Sequence, residues 1–266
     1  MDKVLISVAP VSGINHQIIP EEIAEDVIAC WKAGAAMVHL HVRDGQGNLT
    51  TDTTLFQKTV DLIRQNTDMI IEASTGGVSK LNIQERCVPL YLDSVEACSL
   101  NVGSTNLGRQ VYCNPLDDVD YCIREILKNK KTPEVETFEV GHTYTMERFM
   151  KKYDFVEPVL FSIVLGHEGE APATPQALAT MIQMIPSNAL WGITHANRRD
   201  FSIIAAAAGM GAKTIRIGFE DSDYLDPDTR VSSNLPLVKK TVELLHAMDK
   251  MPMTPEEGRA YFQIVK

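Results

Sequence analysis

Along the 266 residues, short apolar runs with the parity of strands alternate with stretches whose apolar positions recur every three or four residues. Val4 to Val11 opens the series as a strand. A helix follows, introduced by Pro20-Glu21-Glu22, with Ile23, Val27 and Trp31 at helical spacing and Gly34 at its end. Met37 to Val42 is the next strand, and after the polar loop RDGQGNLTTD the residues Phe56, Val60 and Ile63 mark a second helix. Met69 to Thr75 is a β-rich run ending in Ser74-Thr75-Gly76-Gly77, and a short helical piece leads to the strand Ser94 to Asn101. Asp117 to Lys130 reads as a helix and Pro133 to Val140 as the fifth strand. The second half keeps the rhythm, with helices Thr145 to Tyr153, Thr174 to Ile185 and Asp200 to Met210 preceding or separating strands Val159 to Gly166, Ala189 to His195 and Thr214 to Glu220. A long helix from Ser233 to Met248 and another from Thr254 complete the chain.

Eight strands alternating with helices indicate a parallel sheet, and eight such units most simply close into a (β/α)8 TIM barrel. Strands one and six rest on apolar pattern alone. An open doubly wound sheet would announce itself by a Gly-rich turn after the first strand, and the turn there, SGINHQ, holds a single Gly. No linker interrupts the pattern, so residues 1–266 are expected to form one barrel domain with a C-terminal helical extension.

With 44% hydrophobic and 23% charged residues, the chain can bury a large core throughout. Its formal charge of -10 argues against nucleic acid or an anionic membrane as a partner. No run approaches the roughly 18 apolar residues of a membrane span. The five cysteines form no C-x-x-C pair and read as reduced thiols, so a cytoplasmic protein is expected.

Candidate chemistry gathers where the strands end. In MVHLHVRD, Val38, Leu40 and Val42 share one face and His39, His41 and Arg43 the other. Two imidazoles at i, i+2 on a strand buried on both faces need an explanation, and a metal site supplies one. In TIRIGFED the outward parity of Ile215, Ile217 and Phe219 leaves Arg216, Gly218 and Glu220 pointing inward. Strands eight and two flank strand one in a closed barrel, so Glu220 is expected to approach His39 and His41 as the third ligand of an open metal site. The alternative for Glu220 is a solvated strand-end carboxylate.

Strand five places Glu134 and Glu136 inward, where countercharges are required; Arg216 and Arg43 are the expected ones. Ser99 and Asn101 share a parity on strand four. Ser74 ends strand three, and the backbone N–H groups of Thr75, Gly76 and Gly77 suit a carboxylate. Taken singly, such small polar residues are more often turn formers. His16, His167 and His195 lie at or after strand ends, where an ordinary loop role is expected and that of extra ligand or proton shuttle is the alternative. Arg198 and Arg199 open a helix, where a phosphate would be welcome, or are solvated charges.

These residues resemble one known family, the β-keto acid cleavage enzymes. The resemblance runs through PEEIAEDVIACWKAGAAMVHLHVRD, EASTGG, CSLNVG, PEVETFE, FSIVLG and TIRIGFED in family order. It implies a metal-dependent (β/α)8 barrel, commonly a homotetramer, that converts a β-keto acid and acetyl-CoA into acetoacetate and a new CoA thioester. It implies Zn2+, or another divalent transition metal, on His39, His41 and Glu220. Ser74, Ser99 and Asn101 would contact the keto acid, with Ser99 standing where the family has Thr, and Ser74 would also stabilise oxyanion charge. Glu136, Arg216 and Asp221 would form the proton-handling group, with Asp221 as base once a bend at the strand end turns it inward. Arg198 would hold CoA phosphates. The loop GHEGE departs from the family's Gly-rich version, which leaves the remaining CoA contacts open. Asn15 stands where the aminohexanoate-cleaving members carry a Glu for a substrate ammonium, so a β-keto acid without an amino group is expected. An amidohydrolase-like hydrolase is the competing enzyme class, although it carries the His pair on strand one and leaves Arg216 without a task; a non-enzymatic binding barrel is the third reading.

Overall fold

The computed structural model describes residues 2–12 and 17–264. Eight parallel strands run β1 (Asp2–Val8), β2 (Met37–Leu40), β3 (Ile70–Ala73), β4 (Ala97–Asn101), β5 (Thr132–Thr137), β6 (Leu160–Leu165), β7 (Leu190–His195) and β8 (Thr214–Ile217). They pair in chain order, and β8 returns to β1 with Ser7 opposite Arg216 and Val8 opposite Ile217, so the sheet closes as a TIM barrel. The helices between them are α1 (Pro20–Ala33), α2 (Thr54–Arg64), a short α3 (Ile83–Arg86), α4 (Leu116–Lys128), α5 (Val140–Met150), α6 (Pro175–Met184), α7 (Ser202–Met210) and α8 (Leu235–Ala247). Their starts follow the expected chemistry: Pro20 and Pro175 occupy the first turns of α1 and α6, and Gly34 and Gly211 end α1 and α7 in the left-handed region.

Alternating parity sorts each strand into two environments. Outward residues such as Ile6, Val38, Ile71, Ile193 and Ile215 meet the helix layer in one buried cluster, and Cys98 and Leu100 join α4 in a second. The inner floor of the barrel is apolar: Leu5, Met37, Ile70, Ala97 and Leu160 pack against Met253 and Phe262. One step up each strand the interior turns polar, with Ser7, His39, Glu72, Ser99, Glu134, Ser162, Thr194 and Arg216 all buried. Burying that many polar groups is tolerable only if they satisfy one another or a ligand.

Several strands end sooner than their apolar pattern indicates. β2 stops at Leu40, β3 at Ala73, β5 at Thr137 and β8 at Ile217, because the residues beyond them bend into the loops that carry His41, Ser74 and Glu220. α5 starts at Val140 rather than Thr145, where His142 turns back to accept the Phe138 N–H at its Nδ1, and it ends at Met150 rather than Tyr153. Two polar hairpins, Thr105–Leu107 with Gln110–Tyr112 and Tyr224–Asp226 with Thr229–Arg230, have no counterpart in the periodic reading. Lys250–Pro252 adds a short strand beside the start of β1.

Helix α9 (Pro255–Phe262) closes the floor. Thr254 and Glu257 form a capping box at its start, and Gly258 lies so close to the barrel that a Cβ there would stand 2.6 Å from Leu5 Cδ1. Arg259 fastens the helix, donating from Nη2 to Glu96 Oε1 at 3.0 Å and to the Asp68 carbonyl at 2.7 Å, while Arg64 shares the same buried Glu96. Arg259→Met therefore leaves Glu96 with Arg64 as its one charged partner and is expected to lower unfolding free energy by about 2–4 kcal/mol in urea titrations; a change within about 0.5 kcal/mol would refute the role assigned to this contact.

Candidate metal and active site

β2 carries His39 inward at 2% exposure, and His41 follows just past the strand end on the same parity, with the two rings 5.3 Å apart. The third donor arrives through a bend. Gly218 follows β8 at φ +145, and a Cβ on it would lie 2.2 Å from the Ala9 carbonyl oxygen, so only glycine lets the chain pass there. The Ala9 N–H donates to Ile217 and the Glu220 N–H to Ala9, which stitches the turn onto the end of β1. Both Asp221 and Ser222 donate their N–H groups to the Gly218 carbonyl, coiling the chain over the barrel mouth. Glu220 is thus a turn residue rather than a strand residue, and the bend turns Asp221 into the same cavity.

Ligand atoms of His39, His41 and Glu220 lie within 4.8 Å of one another. Glu220 Oε1 stands 3.1 Å from His41 Nε2 and 3.7 Å from His39 Nε2, and the latter nitrogen is buried without a hydrogen-bond partner among the described residues. An orphaned imidazole nitrogen facing a carboxylate and a second imidazole fits a divalent transition metal with room for further ligands. Against burial, which pushes it upward, His41, Arg216 and His39 hold the Glu220 carboxyl well below the usual carboxylate range. On its other side His39 meets a residue that the sequence reading passed over: its Nδ1 lies 2.8 Å from Glu72 Oε2.

Arg216, 8% exposed, joins the metal donors to the remaining carboxylates. Its Nε and Nη2 donate to the two oxygens of Asp221 at 3.1 and 2.7 Å, its Nη1 donates to Glu136 at 3.0 Å, and Nη2 also reaches Glu220 at 3.4 Å. Arg43, the other expected countercharge for Glu134 and Glu136, instead donates to the Gly47 carbonyl at 2.7 Å, because its loop folds back on itself. Glu134 finds its partner in Glu72.

The turn after β3 forms the opposite wall. Ser74 Oγ and Ser99 Oγ are 3.3 Å apart, and they accept the N–H groups of Gly76 and Thr75 at 3.1 and 3.2 Å. Arg86 holds this turn from behind, donating to the Thr75 carbonyl at 2.8 Å and to Asn114 Oδ1 at 2.6 Å. Asn101 is buried, yet neither its amide oxygen nor its nitrogen has a partner among the described residues. Gly76 is pressed between Asn101 and Tyr112, whose hydroxyl would lie 2.0 Å from a Cβ at that position. A cleft of about 1040 Å³ opens above, lined by His41, Gly77, His167, Glu220 and Asp221 among others. Arg86 and Tyr112 gave no periodic signal, since one sits on a four-residue helix and the other on a short hairpin. Glu72 did give one, sharing the inward parity of Ser74.

One expectation changes. Arg198, expected at CoA phosphates, is 1% exposed and spends its guanidinium on carbonyls, Nη1 on Tyr224 at 2.6 Å and Nη2 on Ser222 at 3.5 Å, with its face on Phe201. It pins the loop that carries Asp221 and does not face the cleft. Arg199 is exposed and stacks on Tyr224. Asn15 and His16 lie outside the described residues.

Residues 5–264 match the family description of the beta-keto acid cleavage enzymes. The chain is 32% identical to the 3-keto-5-aminohexanoate cleavage enzyme of Acetoanaerobium sticklandii over the full length of both. It is 26% identical to the 3,5-dioxohexanoate:acetyl-CoA acetone transferase of Paraburkholderia graminis, covering 98% of this chain and 96% of the relative. Among solved structures it resembles ObcA in a binary complex with oxaloacetate, at a TM-score of 0.77 and 19% identity over 94% of this chain and 67% of ObcA, a likeness of fold.

His195, at the end of β7, has its Nδ1 buried without a partner, and burial followed by the charge of Arg198 pushes its ring down to about 4. A folded-state value below the unfolded 6.5 means that the native protein resists protonation here. Stability is then complete above about pH 6.5 and falls as pH drops toward 4. His195→Asn should flatten that fall by up to about 2 kcal/mol in urea titrations run at pH 7 and pH 4.5; parallel curves for both proteins would show that His195 does not contribute.

Proposed function

Because the chain belongs to the beta-keto acid cleavage enzyme family, we propose that it transfers the acyl part of a β-keto acid to CoA, taking acetyl-CoA and releasing acetoacetate. In overall balance, R–CO–CH2–COO− and CH3–CO–SCoA become CH3–CO–CH2–COO− and R–CO–SCoA. One observation carries this reading: an open two-histidine, one-carboxylate site shares a cleft with an aspartate gripped at both oxygens by Arg216. Acetyl-CoA as co-substrate is supported by the name of the Paraburkholderia graminis relative.

His39, His41 and Glu220 hold the metal, with zinc the ion best matched to two imidazoles and one carboxylate. When bound, such an ion supplies Lewis acidity to the keto carbonyl and favours loss of a C2 proton. Asp221 accepts that proton. Arg216 keeps its carboxylate aimed at the cleft, and Glu136 holds the far side of the guanidinium. Asn101 and the backbone of Gly77 take the substrate carboxylate, and Ser74 and Ser99 set the wall against which the keto acid lies. Ser74 in addition faces oxyanion charge. In this scheme the C2 carbanion attacks acetyl-CoA, CoA passes to the keto carbonyl within the adduct, a retro-Claisen step breaks the C2–C3 bond to leave the acyl-CoA, and Asp221 returns its proton to the released acetoacetate carbanion.

The same reading makes the enzyme a homotetramer, as its family commonly is, and places it in the cytoplasm, where its five unpaired cysteines stay reduced. Among the described residues no helix is long and apolar enough to cross a membrane. The substrate is proposed to lack an amino group, on the ground that Asn15 cannot supply the charge that a Glu offers an ammonium.

A screen of 3-keto acids with acetyl-CoA, read out as acetoacetate, tests the reaction. Exhaustive chelation or His41→Ala should reduce turnover by about a hundredfold or more, with recovery on adding zinc to the chelated protein alone; full turnover after chelation would reject the scheme. In the same screen an uncharged 3-keto acid should be turned over faster than 3-keto-5-aminohexanoate of comparable length. A clear preference for the amine would overturn the substrate proposal while leaving the reaction intact.

A further inference from the structure

Below the metal donors, on the side of His39 away from Glu220, two glutamates with no access to the cleft stand in contact. β2 and β3 pair so that His39 is opposite Glu72, which puts Nδ1 of the imidazole 2.8 Å from Glu72 Oε2, with both side chains at 2% exposure or less. Glu72 in turn reaches Glu134 of β5 across β4, whose inward residues at this level, Ala97 and Ser99, are small enough to let two long side chains meet. Glu72 Oε1 and Glu134 Oε2 are fully enclosed, and no described residue offers either one an N–H or O–H. Two buried carboxylates cannot both stay ionised in contact, whereas one proton between them satisfies both oxygens. Burial raises both carboxyls, Glu134 well above the usual carboxylate range and Glu72 to about 8, so the enclosed pair holds a proton between its facing oxygens.

We propose that Glu72 is a positioning residue for the metal: its Oε2 accepts the Nδ1–H of His39 and fixes the tautomer whose Nε2 lone pair faces Glu220, while Glu134 braces Glu72 from the far side. The chain of contacts runs through three strands and ends inside the barrel, so it needs neither substrate nor bulk water. Carboxylate partners of metal-bound imidazoles raise ligand basicity and lock ring orientation, and removing them typically weakens binding by about 10–100-fold. This deepens the metal reading of the site, and because its readout is zinc affinity it stands or falls independently of the reaction proposed above.

The test compares two isosteric variants of the full chain, Glu72→Gln and Glu134→Gln, by zinc titration of the metal-free protein against a chromophoric chelator. Glu134→Gln keeps an N–H to donate to Glu72 and should bind zinc within about threefold of the parent. Glu72→Gln loses the charged acceptor and should bind about tenfold more weakly, and Glu72→Ala more weakly still. Unchanged affinity in Glu72→Gln, or an equal loss in Glu134→Gln, would overturn the proposal. A second measurement needs no substitution: in the zinc-loaded parent the His39 Nδ1 proton, held against a buried carboxylate, should give a far-downfield, slowly exchanging NMR resonance. If His39 instead shows its proton on Nε2, or no protected ring proton, the assignment fails even where a variant does not fold.

Discussion

Arg216 binds Glu136, Asp221 and Glu220 from inside the barrel, and one buried guanidinium thereby links the candidate metal donors to the carboxylates beside them. A buried arginine with a single carboxylate roughly balances its own desolvation, and removing one partner from such a pair costs about 3–5 kcal/mol. Here the geometry goes further, because the planar fork is filled on two edges and its third partner, Glu220, is a candidate metal donor. The group therefore ties β5, β8 and the turn beyond β8 into one unit. A lysine at this position would satisfy charge without holding Asp221 by both oxygens.

Such a group is tolerated only because the barrel interior is divided by height. The floor is closed by Leu5, Met37, Ile70 and Leu160 beneath Phe262 of α9, which excludes water from below. Polar side chains begin one pleat higher and grow denser toward the mouth. Low dielectric below and solvent above give each carboxylate a different environment. Glu134, deep and beside Glu72, is driven toward its neutral form, while Glu220, beside two imidazoles and Arg216, is kept ionised. Acids of one chemical type thus take opposite charge states through placement alone.

Much of this was legible in the chain before any coordinates. Parity alone placed His39, His41, Arg216 and Glu136 inward and the barrel order brought Glu220 toward the two imidazoles, since a strand admits only two side-chain directions. The barrel itself followed from the alternation of periods. What escaped was whatever lacks a period. Tyr112 lies on a three-residue strand, Arg86 on a single helical turn, and the loop of Arg43 closes on its own carbonyl. Arg198 shows the opposite failure, in that its sequence position at a helix start suits a phosphate although burial commits its donors to Tyr224 and Ser222. Glu72 shares the inward parity of Ser74, but its partner is the imidazole of His39, a pairing that matching charges along the strands does not reveal.

The strand ends explain why the chemistry collects where it does. His41, Ser74, Glu220 and Asp221 all lie one to four residues beyond the last paired residue of their strands. Within a strand, alternate side chains are committed to the helix layer, so consecutive residues cannot share a cavity. Beyond Ile217 that rule lapses, and Gly218 supplies a backbone conformation that lets Glu220 and Asp221 face the same space. The proposed metal ligand Glu220 and the proposed base Asp221, adjacent in sequence, are then separated only by the turn, with Arg216 bridging them from the strand below. Rigid strands set the distances, and the short departures from them set the directions, which is why a barrel of parallel strands can hold a compact site without a long loop to build it.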